Sequence, residues 1–260
     1  MLPAHPLPVT SIFINTLKTC KSKFIPLLPI TAISFITVLM VDLFSLNVPG
    51  SVKIAASIVL FLLDAFYFYW GVCFVYDLMI LQKTSYLGSF KIVLKRFLRA
   101  FFLPMAVLTL AALVLVLFVG LLYVSSKLYI VKWGFLVLCA IASILFVFMV
   151  LSILIFNIIY PLEVLAHNTK ISSAATKAAK ISLKGDSLKR AFYICILLML
   201  VGILIFIPYG VIGYLSKGAE VGVMTVSAMI MADVMVLIVF PLRVFLAIYF
   251  YNDLILRFKD

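Results

Sequence analysis

Six long apolar runs organise the chain, covering residues 24–44, 54–81, 100–124, 134–160, 191–215 and 223–256. Each is continuous and long enough to carry a helix across roughly 30 Å of hydrocarbon at about 1.5 Å per residue. Inside lipid every backbone amide must be satisfied within the protein, so continuous runs read as helices and alternating ones as barrel strands. The pattern predicts an all-α, polytopic membrane protein with six transmembrane helices. Pro26, Pro29 and Pro104 fall in the first turns of their runs, where a missing N–H costs little. Pro241 falls inside the last run, where it removes a backbone donor and is expected to kink the helix.

The polar stretches between runs carry their own periodicity. Over 10–23, Ile12, Phe13, Leu17 and Cys20 can share one side, with Lys18, Lys21 and Lys23 near the end. That reads as a short interfacial helix, and 160 onward reads as another lead-in after Pro161 and Glu163 close the fourth run. Over 82–99, Lys91, Lys95, Arg96 and Arg99 share a face while Phe90, Val93, Leu94, Phe97 and Phe101 lie on the other, the clearest amphipathic stretch in the chain. Over 174–190, Lys177, Lys180 and Lys184 recur at i, i+3 and i+7, and Ile171, Ala174, Ala175, Ala178 and Ile181 cluster elsewhere on the wheel. Ser172 or Ser173 can cap its start, and Gly185 with Asp186 marks its end. Two readings fit this last segment: a helix lying along lipid headgroups, or a solvated loop with ordinary topogenic charge. The first ten residues, with Pro3, Pro6 and Pro8, are expected to be extended or frayed.

Charge changes this picture by giving it a direction. Sixteen of the 21 Lys and Arg fall in the N-terminus, the two basic segments and the C-terminus; four fall in the three short loops, and Arg243 lies within the last run. Such a bias predicts that both termini and the amphipathic segments are cytoplasmic. The whole chain, 1–260, then reads as a single integral membrane domain of three hairpins, roughly 10–81, 82–165 and 166–260. Their returning spans end alike, in Tyr76-Asp77-Leu78, Tyr160-Pro161-Leu162-Glu163 and Asn252-Asp253-Leu254. Either a true repeat or shared topology explains the echo. A repeat implies carboxylates at one depth, each near the next lead-in's cations.

Composition narrows the chemistry. Of 260 residues 67% are hydrophobic and only 12% charged, whereas soluble domains run at about half apolar and a quarter charged. The net charge of +12 sits between apolar runs with no recognition motif, which argues against nucleic acid as a partner. Cys20, Cys73, Cys139 and Cys195 are isolated, and His5 and His167 belong to no metal or catalytic spacing, so no metal, cofactor or enzymatic activity is expected. Asp64, Asp233 and Arg243 are the charges placed far inside apolar runs, where each costs at least about 2.5 kcal/mol at the bilayer centre. Asp64 and Asp233 each lie ten residues into their runs, and either line a polar path or make buried hydrogen bonds to neighbouring helices. For Arg243 the structural reading is snorkelling to the inner headgroups.

Three features taken together resemble the membrane domain that accompanies some glycerophosphodiester phosphodiesterases, and the YciC-like bacterial inner-membrane proteins. They are the plan of six spans with basic cytoplasmic segments, Pro161 and Glu163 before an Ala-rich, Lys-bearing helix with Lys184-Gly185, and the Pro241 span ending in Tyr251-Asn252-Asp253-Leu254 near Arg257. The chain lacks a soluble phosphodiesterase domain, so catalysis is not carried over. The resemblance implies a bacterial inner-membrane protein concerned with lipid or envelope homeostasis. Two functions from different classes follow. One is a non-enzymatic protein that meets anionic headgroups through Lys91, Lys95, Arg96, Arg99, Lys177, Lys180 and Lys184, with room for a homo-oligomer or a protein partner. The alternative is a transporter or channel subunit whose polar path is lined by Asp64 and Asp233.

Overall fold

The computed structural model of the chain describes all residues except 1–2, 4, 47–48, 82–84, 128–131, 216–220 and 259–260; the side chains of 42–43, 45–46, 81, 118, 121–127, 132–142, 201–215 and 221–236 also lie outside the description. The described residues form α1 (Val9–Leu46), α2 (Gly50–Tyr76), a π-helical turn (Asp77–Leu81), α3 (Tyr86–Lys127), α4 (Lys132–Ala166), α5 (Ile171–Ser182), α6 (Gly185–Leu215) and α7 (Val221–Arg257). Among them, five stretches are long and apolar enough to cross a membrane: Val9–Val41, Gly50–Ile80, Tyr86–Leu117, Ser143–Ala166 and Leu237–Arg257. These stretches expose large apolar side chains such as Ile25, Met40, Leu110, Val116 and Ile144, as lipid-facing helices do. The short loops expected at 47–50, 125–132 and 217–222 lie partly outside the described residues; where described, Gly50 opens α2, Lys127 closes α3, Lys132 opens α4 and Val221 opens α7. The side chains of Cys139 and Asp233 also lie outside the described residues.

Helix boundaries follow local chemistry, with four departures from expectation. In α1 the backbone leaves helical geometry at Lys23 (φ −116°, ψ 16°), at the junction expected between lead-in and first span. Pro26 explains the position: it has no N–H for the Ser22 carbonyl and its ring crowds that carbonyl. The segment 82–99 does not form a separate interfacial helix; from Tyr86 it is the opening of α3, which runs on through Pro104. Pro161 and Glu163 do not end α4, which continues to Ala166. One lost hydrogen bond there is outweighed by packing, since Tyr160, Leu162, Glu163, Val164 and Leu165 are all buried. The 174–190 helix begins earlier, at Ile171, and stops at Ser182; Gly185 opens α6. Its N-cap is Lys170, with no side-chain cap from Ser172 or Ser173. The last helix, α7, runs through Pro241.

Two compact units divide the chain, Met1–Phe97 with Tyr193–Asp260, and Leu98–Phe192. In the first, α1 packs on α7 and α2, and α2 packs on α7. Ile12, Leu27 and Ile30 of α1, Phe74 of α2, and Phe245, Ile248 and Phe250 of α7 are almost wholly buried. The aromatic run of α2 is absorbed here: Phe66 meets Phe90 and Phe97 edge-on at 5.5 and 5.4 Å, and Trp70 Nε1–H donates to the Tyr86 carbonyl (3.2 Å) and Ser89 Oγ (3.1 Å). Gly71 lets α2 approach α7 closely, because a Cβ there would lie 3.1 Å from Val244 Cγ2 and 3.2 Å from Phe240 Cζ. Gly71→Leu is therefore expected to destabilise the detergent-solubilised protein by about 1–3 kcal/mol, the usual effect of overpacking. An unchanged thermal midpoint would show that α2 and α7 do not meet there.

The described residues before α1 are tied to the end of α7, and the helix itself already begins at Val9. Asp253 Oδ1 accepts the Leu7 N–H at 2.7 Å, Arg257 Nη2 donates to the Leu7 carbonyl at 3.0 Å, and Asn252 Nδ2 donates to the Pro3 carbonyl at 3.1 Å.

In the second unit α5 packs on α4. Ala174, Ala178 and Ile181, at i, i+4 and i+7, are the buried face of α5. That apolar face is taken up by protein, which corrects the expectation that it lies down on lipid; it does not behave as a solvated loop either.

Candidate functional site

From Leu98 onward α3 carries Leu98, Phe102 and Ala106 one turn apart, with Arg99 and Leu103 on the adjoining row. With Tyr160 of α4 and Ile171 of α5 they line an open groove of about 410 Å³. Tyr160 is fully buried and stacks on Phe156, ring centroids 5.5 Å apart and planes 5° from parallel. Its hydroxyl donates to the Arg99 carbonyl at 2.7 Å, which fixes α4 against α3 and occupies the phenolic proton. The wall is therefore apolar, and Leu98, Phe102 and Ile171 remain 62%, 66% and 46% exposed along it. Arg99 is exposed and is the charged residue among those lining the groove. The sequence placed Arg99 on a cationic face without revealing the groove. The one available signal was the spacing of Leu98, Phe102 and Ala106, whose partner helices only the fold supplies.

An elbow joins α4 to α5 within the same unit. Asn168 takes a left-handed conformation (φ 53°), which Asn tolerates better than most residues. This turns the chain so that Thr169 donates to the Glu163 carbonyl through Oγ1 (2.6 Å) and N–H (3.3 Å). The Glu163 side chain, only 3% exposed, accepts Lys177 Nζ at 2.6 Å. Lys177 lies in the basic segment that follows Glu163 in the sequence, so this carboxylate meets a cation of that segment. Lys177 keeps 43% side-chain exposure. Lys180 is exposed and Lys184 half-buried.

The remaining residues separate into distinct roles. Lys91 and Lys95 are exposed on the first turns of α3, while Arg96 is half-buried; Arg96 and Asp77 bring opposite charges to the surroundings of Cys73. Arg243 Nη1 lies 3.5 Å from Asp64 Oδ2, and its guanidinium sits 5.2 Å from the Phe68 ring centre. Arg243 thus has a carboxylate and an aromatic face of α2 within reach, while its side chain stays about half exposed. Asp233 lies in α7, but its side chain is outside those described, so its relation to Asp64 is too. Asp253, which is 2% exposed, is engaged by Arg257 Nε at 3.3 Å as well as by Leu7.

No family model, curated protein or solved structure matches the chain.

Proposed function

We propose that the chain is a non-enzymatic, multi-pass protein of a bacterial inner membrane that engages anionic lipid headgroups, in lipid or envelope homeostasis or as an assembly partner. The observation that carries this is the opening of α3. Lys91, Lys95 and Arg99 are exposed there on the same turns as Leu87, Leu94 and Leu98, themselves 72%, 62% and 62% exposed. Water would penalise the leucines and hydrocarbon would penalise the cations. The boundary between acyl chains and phosphates suits both. The resemblance to the phosphodiesterase-associated membrane domain and the YciC-like proteins supports the same reading. So does the charge bias, which favours six spans with both termini on the cytoplasmic side.

The test is the lipid that accompanies the purified protein. Cations near an anionic surface contribute about 1 kcal/mol each, so Lys91→Gln with Lys95→Gln is expected to lower enrichment of phosphatidylglycerol over phosphatidylcholine by about tenfold or more. Equal enrichment in wild type and variant would overturn the reading. The transporter alternative rests on Asp64 and Asp233 lining a path; the Arg243 contact gives Asp64 a partner on α7 and so supports the structural reading of that residue.

A further inference from the structure

We infer that the groove between α3, α4 and α5 holds one anionic phospholipid, an acyl chain along Leu98, Phe102 and Ala106 and its phosphate at Arg99. The inference rests on the headgroup reading above and deepens it, from a general preference of the surface to one built position.

Three observations converge on this occupant. The groove volume of about 410 Å³ lies within the range of small-molecule sites, and the wall is almost wholly apolar. A polar metabolite would lose hydrogen bonds on entering it; a hydrocarbon chain loses none. The floor is rigid, because the Tyr160 ring is buried, stacked on Phe156 and tied by its hydroxyl to the Arg99 carbonyl. An acyl chain meets a fixed surface there, which distinguishes a site from the mobile lipid around any span. The charge is of one sign: Arg99 is exposed, and among the described residues that line the groove there is no carboxylate. A guanidinium presents paired N–H donors that match two phosphate oxygens, and a lipid anchored in the groove places its phosphate near the end of the chain that Arg99 occupies. The first turn of α5 starts at the lining residue Ile171 without a side-chain cap, which adds positive character to the groove. A zwitterionic lipid fits the wall but brings its own cation to Arg99, so selectivity for anionic lipid is part of the inference.

Native mass spectrometry of the full chain, released from mixed phosphatidylglycerol and phosphatidylcholine bilayers, tests it. Wild type is expected to keep one phosphatidylglycerol per chain after partial delipidation. Arg99→Gln is expected to lower that retention about tenfold, the usual scale of a lost charge-assisted pair. Ala106→Trp changes no charge, lies at an exposed position and fills the groove; it is expected to remove the retained lipid while leaving bulk phosphatidylglycerol enrichment as in wild type. Retention unchanged in either variant overturns the inference. A wild type with bulk enrichment that depends on Lys91 and Lys95 but no discrete lipid also overturns it, with the general headgroup reading intact. A wild type without bulk enrichment overturns both.

Discussion

Replacing Lys177 by Met is expected to lower the stability of the protein by about 3 kcal/mol, because it removes a close cation from a buried carboxylate. The two partners are unequal. Glu163 is 3% exposed and has given up its hydration, while Lys177, at 43%, keeps much of its own. Met preserves most of the apolar stem of Lys177, so packing against α4 changes little and the loss reports on charge. For a chain of this size the effect corresponds to a fall in thermal midpoint of about 6–10 °C. Glu163→Gln removes the charge from the buried side and leaves an ammonium that water can reach, so it is expected to cost only about 1 kcal/mol. The double variant then supplies the decisive comparison. With the carboxylate neutralised, loss of Lys177 matters less, and the double variant is expected to be more stable than Lys177→Met alone. Thermal unfolding of the four proteins in detergent checks the order. If Lys177→Met is no worse than Glu163→Gln, the 2.6 Å contact is not what compensates Glu163.

What the sequence reveals and what it hides differ in kind. The apolar runs are legible because hydrocarbon thickness sets a length that any continuous stretch either meets or misses. The break at Lys23 is legible from Pro26, one turn on, because the proline acts on its own helix. Pro161 misleads for the opposite reason: the burial of Tyr160 through Leu165 is tertiary and invisible locally, and it carries α4 past the proline. The cations from Lys91 to Arg99 suggest a separate helix, yet no residue between Tyr86 and Arg99 interrupts the backbone, so they become the start of α3. The Ala face of α5 is correctly read as apolar, but a face does not name its cover, and here α4 supplies it. From the sequence Arg243 reads as a lone cation within its own run, with snorkelling as its outlet. Its contact, Asp64, lies 179 residues away on α2, where depth relative to α7 cannot be counted from run boundaries. The groove at Arg99 is hidden in the same way: five of its residues recur at helical spacing along one side of α3, and the two that close it come from elsewhere.

Asp253→Ala is expected to release the N-terminal segment, raising the exchange rate of the Leu7 amide proton by about tenfold or more while the core of the same unit stays folded. Between Pro6 and Pro8, Leu7 carries the one N–H. Its backbone is read at both ends: Asp253 Oδ1 takes the N–H at 2.7 Å and Arg257 Nη2 gives to the carbonyl at 3.0 Å. The spacing of Asp253 and Arg257, one helical turn, puts the acceptor and the donor on the same side of α7, and Arg257 Nε steadies Asp253 at 3.3 Å. The prolines lower the cost of docking, since their φ is already set and little chain entropy remains to be lost. A charge-assisted hydrogen bond contributes about 1.5–3 kcal/mol, which gives the expected rise in exchange. Asn252→Ala removes only the bond to the Pro3 carbonyl, farther toward the chain end, and is expected to leave Leu7 protected. Hydrogen exchange followed on the N-terminal peptide distinguishes the two variants. Protection that persists in Asp253→Ala would mean that the segment is held by packing of its prolines, and that the Asp253 and Arg257 contacts merely accompany it.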